Sequence, residues 1–412
     1  MRSGRGGFNF LRGMQHYAII IVGGGPAGAA TALYLVRRDP TLAGRVAILE
    51  KARHPRPKVC AGGLIPHTLA CLDELGVGLP VPHVTIDRAR VEVPGRRVEV
   101  GGRGFAAVVR RAEFDAALLD AVRARGVAVH EETRVRAIAR TPEGVVVTTD
   151  DGEWHADLVV GADGSGSLVR RALVGAAERR AIGRAVMADV PADGGAWDGH
   201  ARARYDFDFR AVPRGLHGYA WAFPCLIDGR PHVNAGVYAR RTGAGTDLRA
   251  QLRLLQAELG DRAATIRHQA APIRCWSRAP FAAERTLLVG DAAGVEPLMG
   301  EGISYAIEYG RWAADELAAA LRDGALDWRG AEARFRGSWV GRKLRRLDQA
   351  ATMFYGPGAR LWLGIAARWR GAQGVGLAWY NGIDGWDRRS GWSAFGAALR
   401  GSAVASALAE VQ

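Results

Sequence analysis

A glycine cluster flanked by two apolar runs constrains the fold of this chain more than any other feature. Residues 18–22 are apolar and mostly β-branched, an Ala- and Leu-rich helical pattern follows the glycines, and residues 46–49 form a second apolar run. A strand, a helix and a second strand in this order predict a βαβ unit. A Gly-rich turn with only a structural role is the alternative, and it leaves the second strand unexplained.

The glycines have the spacing Gly23-x-Gly25-x-x-Gly28. This spacing suits a tight turn at Gly23, close approach of a pyrophosphate at Gly25 and packing of the helix on the strand at Gly28. The N-terminus of the helix offers N–H groups to phosphates. Glu50 ends the second strand, where a carboxylate can accept hydrogen bonds from ribose hydroxyls. The unit therefore predicts a site for an adenine dinucleotide.

Composition and charge bound the class of protein. The chain has 412 residues, of which 48% are hydrophobic and 24% are charged, as is ordinary for a globular protein of two or three domains. Its net charge of +14 favours anionic partners such as a phosphorylated substrate, an acidic membrane surface or an acidic electron carrier. Nucleic acid is not predicted as a partner, because no recognition module is present.

The four cysteines are scattered and show no spacing typical of metal ligands, so no metal site is predicted. This use of cysteine is typical of a reduced, cytoplasmic protein without disulfides. Residues 1–16 form a basic, Gly-rich arm without the apolar core of a signal peptide. No segment reaches the roughly 20 apolar residues that cross a bilayer. The sequence leaves the oligomeric state open.

Patterns of antiparallel strands interrupt the dinucleotide-binding fold, which indicates that a second, sheet-rich domain is inserted into it. We therefore predict a mixed α/β (α+β) protein with a Rossmann-type domain, an antiparallel-sheet substrate domain and a helical C-terminal part. The predicted boundaries are a flexible arm over 1–16, the dinucleotide domain over 17–175 and 286–325, the substrate domain over 176–285, and a Trp- and Arg-rich part over 326–412.

Two further motifs favour FAD as the dinucleotide, namely Asp163-Gly164 and Gly290-Asp291, each at the end of an apolar run. A carboxylate beside small residues can accept a hydrogen bond from a ribityl hydroxyl. The helix that starts near Gly302 can direct N–H groups at the pyrophosphate or the flavin. The three motifs together resemble those of the FAD-dependent oxidoreductases that include aromatic hydroxylases. The resemblance covers residues 17–310 and implies that all three motifs contact one FAD.

Within that group the sequence resembles the geranylgeranyl reductases, which hydrogenate isoprenoid double bonds. Lys58-Val-Cys60-Ala61-Gly62-Gly63-Leu64 is similar to the Lys-x-Cys-Gly-Gly loop of that family, with Ala61 as a departure. Gly218-Tyr219-Ala-Trp221-Ala-Phe223-Pro224 is similar to its substrate-side aromatic motif, with Leu216 where the family usually has Pro. Alternation puts the three aromatic residues on one side of a strand, which suits a substrate channel and a core equally.

The resemblance implies that reduced FAD delivers hydride to an isolated C=C bond while a proton reaches the other carbon. With a single dinucleotide unit, the electrons come from NAD(P)H that docks briefly or from a reduced ferredoxin-type protein. Cys60, Tyr219 and Tyr305 are candidates for the proton donor, and a small packing residue is the alternative role for Cys60.

Two alternative functions stay open. A flavin-dependent monooxygenase or halogenase would act on an aromatic or polyketide-like metabolite, but the motif expected of a halogenase after the βαβ unit is absent from the sequence. A scaffold at a membrane surface would retain FAD only for structure.

The predicted site residues fall into three sets. The catalytic candidates are Cys60, Tyr219 and Trp221. The substrate-binding candidates are Gly218, Tyr219, Trp221, Phe223 and Pro224. The cofactor-binding candidates are Gly23, Gly25, Pro26, Ala27, Gly28, Glu50, Lys51, Cys60, Ala61, Gly62, Arg111, Asp163, Gly164, Gly290, Asp291, Pro297, Gly300, Gly302 and Ile303.

The C-terminal part is unusually rich in tryptophan and arginine. Seven of the 12 Trp lie within residues 328–392, and residues 328–400 carry an excess of nine positive charges. Large apolar rings beside cations are typical of helices that lie on a membrane surface. We therefore predict peripheral association with an anionic membrane. A helical lid over the substrate is the alternative, and the two are compatible.

Overall fold

The computed structural model describes residues 16–174, 182–192, 197–241, 247–260 and 267–369. Residues 1–15 of the predicted N-terminal arm lie outside the described residues, and so do residues 370–412 of the predicted Trp- and Arg-rich part.

The predicted βαβ unit is present as β1 (His16–Val22), α1 (Pro26–Arg38) and β2 (Val46–Leu49). The two strands pair in parallel, with Ile19 opposite Val46. Both strands are almost entirely buried, as expected for a parallel sheet whose two faces are covered. The Ala- and Leu-rich α1 loses little side-chain entropy on forming a helix, and it ends before Asp39, whose backbone is extended.

The first sheet has the strand order β15-β16-β9-β1-β2-β6, in which β16, β9, β1, β2 and β6 run parallel. An antiparallel meander, β7-β8, continues from β9. The mixed α/β fold class is thereby confirmed. The remaining strands of this sheet are β6 (Ala128–His130), β7 (Val135–Arg140), β8 (Val145–Thr149), β9 (Gly152–Gly161), β15 (Ala282–Ala283) and β16 (Thr286–Leu288).

The second sheet has the order β14-β10-β13-β12-β11-β4-β5-β3. Its strands are β3 (Gly63–Leu64), β4 (His83–Val93), β5 (Arg96–Val109), β10 (Ile182–Pro191), β11 (Arg204–Asp208), β12 (His217–Ile227), β13 (Arg230–Arg241) and β14 (Gln269–Arg274). Three of these strands, β3–β5, come from residues 63–109, which lie within the range 17–175 predicted for the FAD-binding domain. Alternation along a strand shows which face is buried, but it does not show which distant strand completes the hydrogen bonds.

Helices cover the sheets and join them. α6 packs against α1 at Gly310, where a Cβ would lie 2.6 Å from the Thr31 nitrogen. Within the described residues, no helix has both the length and the apolar character to span a membrane. The other helices are α2 (Pro66–Glu74), α3 (Arg111–Arg123), α4 (Leu168–Val174), α5 (Leu248–Leu259), α6 (Ile303–Asp323), α7 (Ala331–Gly337), α8 (Trp339–Phe354) and α9 (Ala359–Arg368).

The C-terminal helices α8 and α9 lie on the second sheet. One face of α9, formed by Ala359, Leu363 and Ala367 at helical spacing, is buried in a cluster that includes Val93 of β4. On another face of α9, Leu361 is 63% exposed. The described part of the predicted C-terminal region is therefore helical and has one apolar face on the protein.

Candidate active site

A cavity of about 650 Å³ lies where the carboxyl ends of β1, β2 and β9 meet one face of the second sheet. This volume is typical of a ligand site, and the carboxyl ends of parallel strands are where open α/β sheets bind ligands. The predicted site residues all line this cavity except Gly28, Gly218, Pro224, Gly290 and Pro297.

The glycines of the first turn have three distinct environments. Gly23 has a φ of +110°, which favours glycine. A Cβ on Gly28 would lie 2.0 Å from the Gly23 carbonyl oxygen, so only glycine lets α1 approach the turn. A Cβ on Gly25 would meet nothing closer than Nη2 of Arg56 at 3.7 Å. Because Gly25 lines the cavity and caps α1 without a side-chain hydrogen bond, the first N–H groups of α1 are available to an anion.

Glu50 holds the Gly-rich turn against the end of β2. Its carboxylate accepts hydrogen bonds from the Gly24 nitrogen at 2.8 Å and the Ala52 nitrogen at 2.9 Å. Nε of Arg56 lies 3.9 Å from the same carboxylate. The acid that sequence reasoning assigned to the ribose therefore also fixes the loop that surrounds the phosphate position.

The half-buried Cys60 lies beside a buried ion-pair cluster. Arg111 binds Asp115 through two hydrogen bonds of 2.7 and 2.9 Å, and Nη2 of Arg56 lies 3.3 Å from the same carboxylate. The Gly62 nitrogen donates to Sγ of Cys60 at 3.4 Å. Two guanidinium groups share the buried Asp115 carboxylate, and Arg56 also lies near Glu50, so Cys60 lies beside a network of paired charges.

The two later acid motifs differ in what their carboxylates contact. Asp163 accepts from Oγ of Ser167 at 2.5 Å and from the Leu168 nitrogen at 2.6 Å, so it caps the start of α4. Oδ2 of Asp291 accepts from Oγ of Ser165 at 2.8 Å. Oδ1 of Asp291 has no donor among the described residues, and it faces Gly302, where a Cβ would lie 3.5 Å away. Asp291 thus retains an acceptor for a ligand, whereas the oxygens of Asp163 are both in use.

Two glutamates organise the backbone amides of the loop before α6. The Glu296 carboxylate accepts from the nitrogens of Leu298, Met299 and Glu301. Glu301 accepts from the nitrogens of Ile303 and Ser304, each at 2.9 Å. The Ile303 N–H that sequence reasoning directed at the cofactor is therefore bound by the glutamate that caps the helix.

Gly300 and Gly302 are the residues of this loop with amides still available. Both line the cavity, and neither amide has an acceptor in the part of the chain that the structure describes. Gly300 has a φ of +69°, which suits glycine. Two unpaired N–H donors at one end of the cavity are suited to a carbonyl or another electron-rich group of a ligand.

Three tyrosines bind three successive carbonyl groups of the same loop. Tyr238 donates to the Pro297 oxygen at 3.1 Å, Tyr355 donates to the Leu298 oxygen, and Tyr219 donates to the Met299 oxygen at 2.7 Å. Burial raises the pKa of all three phenols well above the ordinary value. Tyr219, a predicted catalytic residue, is therefore a neutral donor to the backbone here.

Tyr219, Trp221 and Phe223 alternate along β12 and form the apolar wall of the cavity. Nε1 of Trp221 donates to Asn234 at 2.8 Å, and a Cβ on Gly236 would lie 2.1 Å from the Trp221 ring. The three rings also pack in a buried aromatic cluster. The sequence left open whether these three residues line a channel or belong to the core. In the structure they do both, since they line the cavity and pack in a buried cluster.

The five predicted residues that do not line the cavity lie beside it. A Cβ on Gly218 would lie 1.8 Å from the Tyr238 carbonyl oxygen, and one on Gly290 would lie 2.6 Å from Cβ of Ala27. These glycines allow close packing of backbone and helix. The carbonyl oxygen of Pro297 accepts a hydrogen bond from Tyr238, and Pro297 does not line the cavity.

Sequence reasoning missed Tyr238, Glu296 and Glu301. Tyr238 is paired with Tyr219 across β12 and β13, and a strand pairing of this kind has no local signal. Glu301 lies between Gly300 and Gly302, both predicted, so its position in the motif was the signal that could have revealed it.

A second polar cluster lies away from the cavity. Nε2 of His67 is 2.7 Å from Glu308, and Sγ of Cys71 is 3.4 Å from the same carboxylate oxygen. Nη2 of Arg311 donates to Sγ of Cys71 at 3.4 Å. The guanidinium group compensates the charge of Glu308, so the contacts form an ion-pair network between α2 and α6.

Comparison with known proteins assigns the family. A family model described as an FAD binding domain matches residues 16–334. A menaquinone reductase from Mycolicibacterium smegmatis is 32% identical over 328 residues, which cover 72% of this chain and 75% of that protein. The chain is an FAD-dependent oxidoreductase of this family. A geranylgeranyl diphosphate reductase from Rhodobacter capsulatus is 30% identical to this oxidoreductase over 326 residues, covering 75% of the chain and 76% of that protein.

Solved structures share the fold of this oxidoreductase. A geranylgeranyl bacteriochlorophyll reductase-like protein from Thermoplasma acidophilum has a TM-score of 0.72 at 20% identity, with 97% of this chain and 98% of that chain covered. A flavin-dependent brominase has a TM-score of 0.71 at 18% identity, with 94% and 98% covered. A reductase-like protein and a brominase thus share this fold.

The residues around the cavity fit FAD. Gly25 leaves space at the uncapped start of α1, where a diphosphate would meet free N–H groups. At the other end, the free amides of Gly300 and Gly302 and Oδ1 of Asp291 would meet the flavin and its ribityl chain. Lys51 and Gly164 border the cavity between these ends.

Proposed function

We propose that this oxidoreductase reduces C=C double bonds of an isoprenoid, geranylgeranyl-type or similar apolar substrate by hydride transfer from reduced FAD. The observation that carries the proposal is the apolar wall of the cavity, formed by Tyr219, Trp221 and Phe223 together with Met187 and Ile273. Transfer of a hydrocarbon chain from water to such a surface lowers the free energy of the system. A charged substrate would instead lose its hydration there.

The chain's own residues orient the substrate and exclude water, while bound FAD supplies the hydride chemistry. Trp221 is fixed by Asn234 and by close packing on Gly236, and Asn234 is held in turn by Asp189 at 2.7 Å. A rigid aromatic wall limits the positions that a flexible hydrocarbon can take, which favours a productive geometry. Cys60 borders the same cavity, in a loop whose Val59 and Ala61 pack against the aromatic cluster, and we propose that it takes part in substrate reduction.

The relatives support an isoprenoid substrate. Menaquinone and geranylgeranyl diphosphate, which are named in the descriptions of two relatives, both carry a long polyprenyl chain. The region similar to the Lys-x-Cys-Gly-Gly loop, residues 58–64, borders the cavity through Lys58, Cys60 and Gly62.

NAD(P)H or a reduced ferredoxin-type protein is the proposed electron donor. Lys51, Lys58 and Arg134 are exposed at the cavity, and none of them forms an ion pair with a residue that the structure describes. Exposed cations without partners favour the approach of an anionic cofactor or an acidic protein. Anaerobic mixing of the oxidised protein with each donor identifies which one bleaches the flavin.

Peripheral association with an anionic membrane is proposed as the route by which an apolar substrate arrives. Leu361 and Met353 are 63% and 42% exposed at the C-terminal helices, where Arg360 and Arg368 are also exposed. Exposed apolar side chains beside cations suit the boundary between headgroups and acyl chains.

The proposed reaction is tested by product analysis under anaerobic conditions. Reduced protein incubated with geranylgeranyl lipids should yield products that have gained two hydrogen atoms per reduced bond, as measured by mass spectrometry. A matched incubation with oxidised protein should yield none. Unchanged lipid in both incubations would contradict the proposal.

A flavin-dependent monooxygenase or halogenase is the second candidate, because a brominase has this fold at a TM-score of 0.71. This alternative predicts that oxygen is consumed in a fixed ratio to the electron donor when an aromatic substrate is present. Lipid reduction without oxygen would contradict it.

A further inference from the structure

Two carboxylates lie in the loop that borders the flavin end of the cavity, Glu296 being buried and Glu301 half-buried. Glu296 is 2% exposed, and Glu301 lines the cavity. Neither forms an ion pair with any residue that the structure describes. Buried carboxylates on the helix that follows, α6, are paired, as Glu308 is with His67 and Glu316 with Arg334. An unpaired buried charge is costly, so each of these carboxylates binds a proton more readily than an exposed carboxylate does.

The two carboxylates are coupled through the backbone. The Glu301 nitrogen donates to Oε2 of Glu296 at 3.3 Å, and the negative charge of each group disfavours ionisation of the other. Burial raises the pKa of Glu296 to about 7. The hydrogen bonds that its carboxylate accepts from three backbone amides act in the opposite direction and lower this pKa. Burial also raises the pKa of Glu301. Protonation of such a pair is a property of the two groups together.

The neighbouring phenols and thiol do not change charge near neutral pH. Burial raises the pKa of the neighbouring phenols and of the Cys275 thiol, so these groups stay neutral. The nearby charged or titratable side chains are His67, which is bound to Glu308, Arg240, which is bound to Asp348, and Asp291, which accepts from Oγ of Ser165. The neighbouring phenols belong to Tyr219, Tyr238, Tyr305 and Tyr355.

We propose that Glu296 and Glu301 together bind one proton when the bound flavin is reduced, and that Glu301 delivers this proton during substrate reduction. Added negative charge at the flavin end raises the affinity of both carboxylates for a proton. Glu301 is the member of the pair that borders the cavity. Glu296 does not border it, and its negative charge raises the affinity of Glu301 for a proton. The delivery step rests on the proposed function, whereas proton uptake on reduction does not.

Protons and electrons balance over the cycle. Two electrons from NAD(P)H or ferredoxin and one proton convert oxidised FAD to its reduced form, and the glutamate pair takes a second proton. In the reduction of C=C, a hydride leaves the flavin for one carbon and the proton leaves Glu301 for the other. The product gains two hydrogen atoms, the flavin is oxidised, and the pair is again ionised.

The test is the pH dependence of the flavin midpoint potential, measured anaerobically without substrate from about pH 7 to about pH 9. For a two-electron couple, each proton taken up shifts the potential by about 30 mV per pH unit. Wild-type protein should therefore show a slope of about 60 mV per pH unit. Glu301→Gln and Glu296→Gln should each lower the slope to about 30 mV per pH unit.

Glu316→Gln is the matched control, because Glu316 is a buried carboxylate on α6 that pairs with Arg334 at 2.6 Å and does not line the cavity. It should keep the wild-type slope. If Glu301→Gln fails to retain FAD, Glu296→Gln answers the question, since Glu296 does not line the cavity. With reduced ferredoxin as the electron source, which brings no proton of its own, an indicator dye in weakly buffered solution should also report two protons taken up per wild-type flavin reduced.

A slope of about 30 mV per pH unit in the wild type would overturn the proposal. The same holds for a slope of about 60 mV per pH unit that persists in both variants, because the second proton would then lie on the flavin or elsewhere. Since no substrate is present, these results do not depend on whether the protein reduces lipids. A failure of lipid reduction with the predicted slopes would remove only the delivery step.

Discussion

Gly25→Ala should weaken FAD binding while leaving the fold intact. Gly25 has an ordinary φ of −77°, so alanine can adopt its backbone conformation. The new Cβ would lie 3.7 Å from Arg56, which is a normal contact. It would nevertheless occupy the space at the start of α1 where a diphosphate must approach the N–H groups. Alanine is also a poorer N-cap than glycine, at a cost of no more than about 1 kcal/mol in folding.

The size of the effect follows from overpacking of a tight site. An extra methyl group in a close contact costs about 1–3 kcal/mol. At 1.4 kcal/mol per tenfold, the Kd for FAD should rise roughly 5- to 140-fold. The comparison with Gly28 is informative, because a Cβ there would lie 2.0 Å from a carbonyl oxygen. Gly28→Ala should therefore destabilise the apoprotein itself.

The assay combines fluorescence titration of apoprotein with FAD and thermal unfolding of the same apoprotein. Gly44→Ala is the control, because a Cβ at Gly44 meets nothing within 4 Å. It should leave both measurements unchanged. A wild-type Kd for Gly25→Ala would refute the placement of the diphosphate at the start of α1.

The remaining predictions concern the acids of the cavity, Cys60 and the C-terminal helices. Glu50→Ala and Asp291→Ala each remove charge-assisted hydrogen bonds worth about 1.5–3 kcal/mol, so the titrated Kd for FAD should rise at least roughly tenfold, and unchanged affinity would contradict their assignment. Cys60→Ser should keep the FAD content but slow lipid reduction in stopped-flow measurements, and an unchanged rate would mean that Cys60 only fills space. The full chain should pellet with anionic liposomes at low salt, and a smaller fraction should pellet at high salt or when the chain carries Leu361→Asp. Absence of the wild-type chain from the low-salt pellet would contradict membrane association.

The βαβ unit could be predicted because its signals are local. A strand, a Gly-rich turn, a helix and a second strand follow one another within residues 17–51, and the constraint on Gly28 comes from Gly23, five residues before it. Cavity positions around Cys60 and Trp221 could be predicted for a similar reason, since short motifs mark them.

What could not be predicted depends on contacts between distant parts of the chain. β4 joins the second sheet by pairing in parallel with β11, with Ala89 opposite Tyr205. No property of either strand alone selects the other as its partner. The hydroxyl groups of Tyr238 and Tyr355 reach one loop from β13 and from the end of α8. The role of Glu301 as a helix cap, rather than Ile303 as a free donor, also emerges only when the loop has folded.

The most direct test of the central claim is a single-turnover measurement of flavin reoxidation. Protein reduced anaerobically by a measured amount of donor is mixed with a geranylgeranyl substrate, and the flavin absorbance and the product are followed together. The account predicts that the oxidised flavin spectrum returns without oxygen and that one double bond is reduced for each flavin reoxidised. A flavin that stays reduced until oxygen is admitted, with no saturated product, would contradict it.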